Sequence, residues 1–308
     1  MYSDTFSIVE RATATTTAAA AGPTAEMVLD YWRGKSASTT AAIAFAALFG
    51  LGAIAHTYQL FRYRAWYFGV FLTGAYMMCI GYVFRLISIN NSTNLTPYVL
   101  QLLFILLPPS LYAATIYMIY GRIVLLVNAA HLSLIRPTWV TKVFVCSDFF
   151  AFVIQAGGGA LITQEGKEQM GKNILLVGLY VQLASFIFFL VISSVFYFRV
   201  SKAGVDAQKY GRYHWTTMLK VLYFAAAFII MRCVFRLIEY SADRTSSVQK
   251  NEVWAYCLDA VPMFMVQCVF NVVHGGMVLP KAGVKNKERA SFAGESQYEL
   301  SRNSESPV

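Results

Sequence analysis

The chain has 308 residues, of which 57% are apolar and only 13% charged, with a mean hydropathy of +0.52. Soluble domains run at about 45–50% apolar and about 25% charged. An ordinary soluble enzyme and a disordered chain are therefore both excluded, and an all-α polytopic membrane protein is indicated. The net charge of +9 does not imply a nucleic-acid partner, because the Lys and Arg residues flank apolar segments and form no basic domain.

Residues 1–38, with a Thr/Ala run at 12–21, are expected to form a disordered extracellular tail without a cleaved signal sequence. Seven apolar stretches follow, at 39–60, 66–88, 97–120, 142–163, 173–198, 215–240 and 253–274. Each is long enough to cross a hydrocarbon core of ~30 Å, for which a helix needs ~20 residues. Eight of the 41 charged residues lie inside these stretches, so the charges are concentrated in the connections. The membrane domain is thus predicted at 39–274, and the Ser-, Glu- and Lys-rich residues 275–308 read as a disordered cytosolic tail.

Orientation follows Lys and Arg in short connections. The odd-numbered connections and the near part of the last tail carry thirteen, including Arg62, Arg64, Arg122, Arg136, Arg199 and Lys202, against six on the other side. This predicts an outside amino terminus and a cytosolic carboxyl terminus; the plasma membrane or another endomembrane is the expected residence. Trp32, Trp66, Trp139, Trp215 and Trp254 sit at segment ends, as an interfacial aromatic belt requires. Cys79, Cys146, Cys233, Cys257 and Cys268 all fall in apolar segments and read as buried small hydrophobes, with neither a disulfide nor a zinc site expected. Asn90, Asn91 and Asn94 begin N-x-S/T sequons in the second connection.

Ionisable groups inside a membrane are costly and mark candidate functional sites. Here they are Arg85, Asp148, Arg232, Arg236, Glu239 and Asp259, joined by the neutral Gln101, Gln155, Gln182, Gln267 and Asn271. On the predicted orientation most of them gather in the outer half of the bundle. Arg232, Arg236 and Glu239 are spaced i, i+4, i+7 and share a helix face, so Arg236 can pair with Glu239 and Arg232 with Asp259 of the next segment. Two readings follow: ion pairs that hold the bundle together, or a pocket for the headgroup of an amphipathic small molecule. Asp148, six residues into its stretch, is expected to pair with Lys142 or Lys220, to bond a neighbouring helix backbone, or to act as a protonatable coupling group. Pro108 and Pro109 break or kink the third segment. Gly157–Gly159 permits close helix approach or an unwound end.

The seventh segment has no lysine for a retinal Schiff base, and His56 and His274, each at a segment end, are too few for haem or a zinc hydrolase. There is no P-loop and no visible nucleophilic triad. No enzyme, cofactor or metal site is therefore expected.

The stretches RYRAW (62–66), IGYVFR (80–85), PYVLQ (97–101), LYAATIYMIYGRI (111–123), LSLIRPTWVTKVFVCSD (132–148), QAGGG (155–159), RCVFRLIEY (232–240) and NVVHGG (271–276) carry a resemblance. The chain resembles the fungal lipid-translocating exporters, the RTA-like seven-helix proteins linked to aminocholesterol resistance and sphingoid base export. The resemblance covers residues 41–276 and places the family's recurring polar positions on Arg85, Gln101, Arg122, Asp148, Gln155, Arg232, Arg236, Glu239, Asp259, Asn271 and His274. It departs at Met78, where the family usually has a glutamate, at Pro108, where it has alanine, and at Gly275, where it has proline. Without the acid at 78, Arg85 is expected to lack its nearest partner.

What the resemblance implies is translocation or export of amphipathic lipids or lipophilic toxic compounds, with membrane lipids as partners. In the expected pose a sphingoid amine sits between Asp259 and Glu239, and Arg232 or Arg236 meets a phosphate or carboxylate. The alternative is a seven-helix stress-sensing receptor. Against it, the third segment ends in Tyr120–Gly121–Arg122 and lacks a D-R-Y triplet, and the seventh has no N-P-x-x-Y.

Overall fold

The computed structural model describes residues 38–91, 94–162, 164, 166–204, 214–242 and 251–278. Helix α1 (Thr39–Tyr63) starts at Ser38, whose Oγ accepts from the Ala41 N–H at 3.3 Å, and ends at Arg64 in the left-handed region at φ 52°. A 3-10 turn at Trp66–Phe68 leads into α2 (Gly69–Asn90). Asn94 caps α3 (Leu95–Leu106) by accepting from the Thr96 N–H at 3.1 Å, and α4 (Pro108–Leu126) continues the same span beyond Leu107. Then come α5 (Pro137–Ile162), α6 (Glu168–Lys202) and α7 (Trp215–Ser241). The last span is composite: α8 (Glu252–Ala255), a π turn at Tyr256–Ala260 and α9 (Val261–Val272). Together these make seven helices of membrane length and apolarity, as the seven stretches predict, and the protein is an integral multi-pass membrane protein.

The third span is the innermost. In its most apolar window 61% of residues are buried, against 22–44% in the other six. Its core is aromatic: Tyr112 stacks on Phe71 at 4.2 Å, and Tyr117 and Tyr120 meet Phe189 edge-on at 4.6 and 5.4 Å. Large apolar side chains such as Leu51, Phe149, Phe150 and Phe198 point outward from the bundle, a distribution that suits lipid and not water. In lipid such a bundle is held by close packing and internal hydrogen bonds, since apolar burial gives little advantage there.

The α5–α6 contact shows that packing. A Cβ at Gly158 would lie 2.5 Å from the Leu175 backbone nitrogen, and one at Gly178 would lie 2.8 Å from the Ala151 carbonyl oxygen. Of the Gly157–Gly159 run, only Gly158 makes the close approach, and α5 stays helical through it, so no unwound end forms.

Several expectations need correcting. Trp66, Trp139 and Trp254 are exposed at span ends, but Trp215 is buried; Trp32 lies outside the described residues. Cys146 and Cys257 are exposed on the outside of the bundle, and only Cys233 is buried. The expected disordered tails lie outside the described residues apart from Ser38 and 275–278, and there Gly275–Met277 forms a 3-10 turn with Gly275 buried.

Candidate functional site

Pro108 and Pro109 have no N–H, so the carbonyls of Phe104 and Ile105 lose their helical donors and the span breaks at Leu107. A buried arginine supplies one replacement: Arg232 Nη2 of α7 donates to the Ile105 carbonyl at 2.7 Å. The seventh span is irregular at the same level. Pro262 follows the π turn, and the Asp259 carbonyl there accepts from Arg232 Nη1 at 3.4 Å.

Charge is balanced around this junction. Arg232 Nη1 lies 2.5 Å from Asp259 Oδ1, Arg236 Nη2 donates to Asp259 Oδ2, and Arg236 Nη1 donates to Glu239 Oε2 at 3.2 Å. Two guanidiniums and two carboxylates thus form one neutral chain across α7 and the π turn. Both pairs read from the spacing are present, and the Arg236–Asp259 bond links them. Arg232 and Asp259 are almost completely enclosed, at 2% and 3% exposure. In this geometry an amine has no room between Asp259 and Glu239, because Arg236 occupies that place.

Arg85 does not lack a partner. Its Nη2 donates to Glu252 Oε1 at 2.7 Å and its Nε to the Tyr256 hydroxyl at 3.2 Å. Glu252 Oε2 also accepts from the Ser38 N–H at 2.9 Å, tying the start of α1 to the end of α2 and the start of α8. The acid missing at 78 is replaced from another helix.

On the other side of the proline break, Gln155 Nε2 donates to Gln182 Oε1 at 2.9 Å, and Gln182 Nε2 donates to Ser110 Oγ at 3.0 Å. This amide bridge joins α5, α6 and α4. Between α3, α5, α6 and α7 lies a cavity of about 170 Å³. Its walls are apolar, from Val99, Leu102, Leu103 and Leu106 of one α3 face, with Ala156, Gly159, Ala160 and Leu175 opposite. Three polar side chains reach it: Gln155, Arg236 and Tyr240. Gly159 has open space where its Cβ would be.

The remaining predicted residues lie elsewhere. Gln101 is buried on α3 with its Oε1 unpartnered. Asn271 donates to the Gln267 and Gly52 carbonyls at 3.2 and 3.5 Å, and His274 Nδ1 accepts from the Gly276 N–H at 3.1 Å, so both fasten the far end of the seventh span. His56 and His274 are fully buried, with rings 6.3 Å apart. Arg122 lies over the Tyr67 ring at 3.9 Å. Asp148 pairs with neither Lys142 nor Lys220; it accepts from the Tyr117 hydroxyl at 2.9 Å. Because α5 begins at Pro137, Asp148 is 11 residues into the helix, about 16 Å, and so near mid-span.

The sequence assigns no site role to Glu252, Tyr240, Ser110 or Tyr117. Glu252 was excluded by one residue at the edge of a hydropathy window. Its spacing to Tyr256 and Asp259, i, i+4, i+7, matches that of Arg232, Arg236 and Glu239 and carries the signal.

A model of the family described as RTA1 like protein matches residues 71–282. The chain is 29% identical to Protein RTA1 of Saccharomyces cerevisiae over 258 residues, which is 75% of this chain and 81% of that protein. It is 33% identical to Protoporphyrin uptake protein 1 of the same species over 202 residues, 66% of each chain. It is 22% identical to Sphingoid long-chain base transporter RSB1, also of Saccharomyces cerevisiae, over 269 residues, 76% of this chain and 70% of that one. No solved structure matches. With the family match spanning 71–282 and covering the cavity, the ionic chain and both broken spans, this seven-helix membrane protein belongs to the RTA1-like family.

Proposed function

We propose that this protein moves single-chain amphipathic lipids or similar lipophiles across a membrane, and that the cavity between α3, α5, α6 and α7 holds the molecule in transit. The observation that carries the reading is the cavity itself. Its apolar walls suit a hydrocarbon chain, and its polar side chains are confined to Gln155, Arg236 and Tyr240. Two relatives are named for a sphingoid long-chain base and for protoporphyrin, molecules that each join an apolar body to a polar end. That variety favours recognition of amphipathic shape over one headgroup.

The headgroup meets Arg236 at the cavity edge, in place of the amine pose between Asp259 and Glu239. The broken third span lines this cavity through α3, and the broken seventh is linked to it by the Arg236–Asp259 pair; discontinuous helices are where transporters place movable substrate contacts. The excess of Lys and Arg on one side supports an outside amino terminus and a cavity in the outer half of the membrane.

The test is flux in proteoliposomes, using fluorescent single-chain amphipaths with ammonium, phosphate or phosphocholine headgroups. Gly159→Leu and Ala160→Phe fill the cavity from a wall that has room, so they are expected to cut flux at least tenfold at equal reconstitution. Wild-type flux in both would sink the cavity assignment. A wild-type protein that moves none of the three probes, but recruits a cytosolic signalling partner, would replace translocation with the receptor reading.

A further inference from the structure

Four acids are buried among the described residues: Asp148, Glu239, Glu252 and Asp259. Three of them are held by arginines at the same end of the bundle. Asp148 alone has no cation beside it. Its Oδ2 accepts from Tyr117 at 2.9 Å, while its Oδ1 is buried without a partner. The other titratable group close to it is the Cys233 thiol of α7. From α6 the Tyr117 ring of this pair is met by Phe186 and Phe189, which carry no charge. A lone carboxylate near mid-span, with one neutral donor, is costly in the charged state and acquires a proton at little structural cost.

The position of this pair connects it to the cavity. Asp148 and Gln155 are seven residues apart on α5, and Ser110 and Tyr117 are seven apart on α4, so each pair is two turns apart on one helix face. Gln182 joins Ser110 to Gln155, making one rung, and the Tyr117–Asp148 bond makes a second rung about 10 Å below it. The upper rung ends in a cavity-lining residue. We propose that Asp148 is a proton-binding site that couples proton movement to the α4–α5 arrangement and hence to the cavity. The coupling half of this proposal rests on the translocation reading above, and the proton site does not.

The step is a single protonation. A proton adds to Oδ1, the oxygen without a donor, and the charge changes from −1 to 0. Tyr117 goes on donating to Oδ2, but a bond to a neutral acid is about half as strong as one to a carboxylate. Protonation therefore loosens the lower rung, and release of the proton tightens it. Asp259 is unsuited to this role, because two guanidiniums hold its charged form in place.

Two measurements test it. The first is a pH-difference infrared spectrum of the purified full chain, read without any lipid flux. Acidification across the physiological range is expected to raise a carboxylic C=O band that is absent in Asp148→Asn and shifted in frequency in Tyr117→Phe. Identical spectra for wild type and Asp148→Asn would overturn the proton site. Asp148→Asn is isosteric and removes a buried charge, so a fold defect is not expected to obscure the comparison. The second uses proteoliposomes with an imposed pH gradient and the phosphocholine amphipath, whose net charge does not titrate. Wild type is expected to accumulate the probe at least tenfold, whereas Asp148→Asn keeps exchange without accumulation. Wild-type flux indifferent to the gradient would overturn the coupling. Absence of any flux would count against the translocation reading alone, since the infrared band decides the proton site.

Discussion

The two ends of the seventh span solve the same problem in different ways. Near Asp259 the buried polar groups are charged, and they are satisfied by each other and by carbonyls released at a helix break. Near Asn271 they are neutral, and they are fastened to intact backbone: Gln267 Nε2 donates to the Phe49 carbonyl at 3.1 Å, His56 Nε2 lies 3.1 Å from the Gln267 carbonyl, and Gln59 Nε2 donates to the Asn271 carbonyl at 2.7 Å. Amide-to-backbone bonds fix one helix against another. A chain of ion pairs can exchange partners without losing its balance, and it is the ion-paired end that adjoins the cavity.

Substitutions at the two ends should therefore fail in different ways. The largest effect is expected from Asp259→Leu, which leaves the enclosed Arg232 guanidinium without an acid and Arg236 with Glu239 alone; breaking one side of a buried pair costs about 3–5 kcal/mol. Loss of monodisperse protein on size-exclusion chromatography would show it, and normal thermal stability would mean that the chain is not needed for folding. Next comes Gly158→Val, which drives a side chain into the α6 backbone at a cost of about 1–3 kcal/mol, read as a lower unfolding midpoint. Gln267→Leu tests the amide end. It loses a bond of about 1 kcal/mol, so its midpoint should fall slightly while amphipath flux per folded molecule stays at the wild-type level. A tenfold flux loss there would erase the distinction between the two ends. A comparable effect is expected from Glu252→Gln, which keeps the shape but only one acceptor oxygen, so that one of the bonds from Arg85 and Ser38 is lost at a cost of about 1 kcal/mol. A larger fall would place that pair with the enclosed network.

The spacing of Arg232, Arg236 and Glu239 on one strongly apolar helix made their shared face and the Arg236–Glu239 pair legible before any tertiary contact was known. Asp259 was legible as a partner because adjacent spans in a bundle tend to touch. The role of Arg232 at Ile105 was not legible, since it depends on a contact between residues 127 positions apart. Asp148 was recognised as unusual, but its expected lysine partners were wrong. Lys142 lies near the Trp139 ring, and the residue facing Asp148 is a tyrosine from the third span. Hydropathy windows do not register tyrosine as a polar partner.

The sequence by itself determined the seven spans, the discontinuity at Pro108–Pro109 and the list of costly polar residues, because each follows from local composition and from backbone donors that proline lacks. Only the tertiary structure decided which charges neutralise each other, which carboxylate stands without a cation, and where the apolar walls leave space. Those outcomes depend on how helices far apart in the chain are rotated and shifted against one another. The glycines that let α5 and α6 touch and the arginine that caps a broken third span set that geometry.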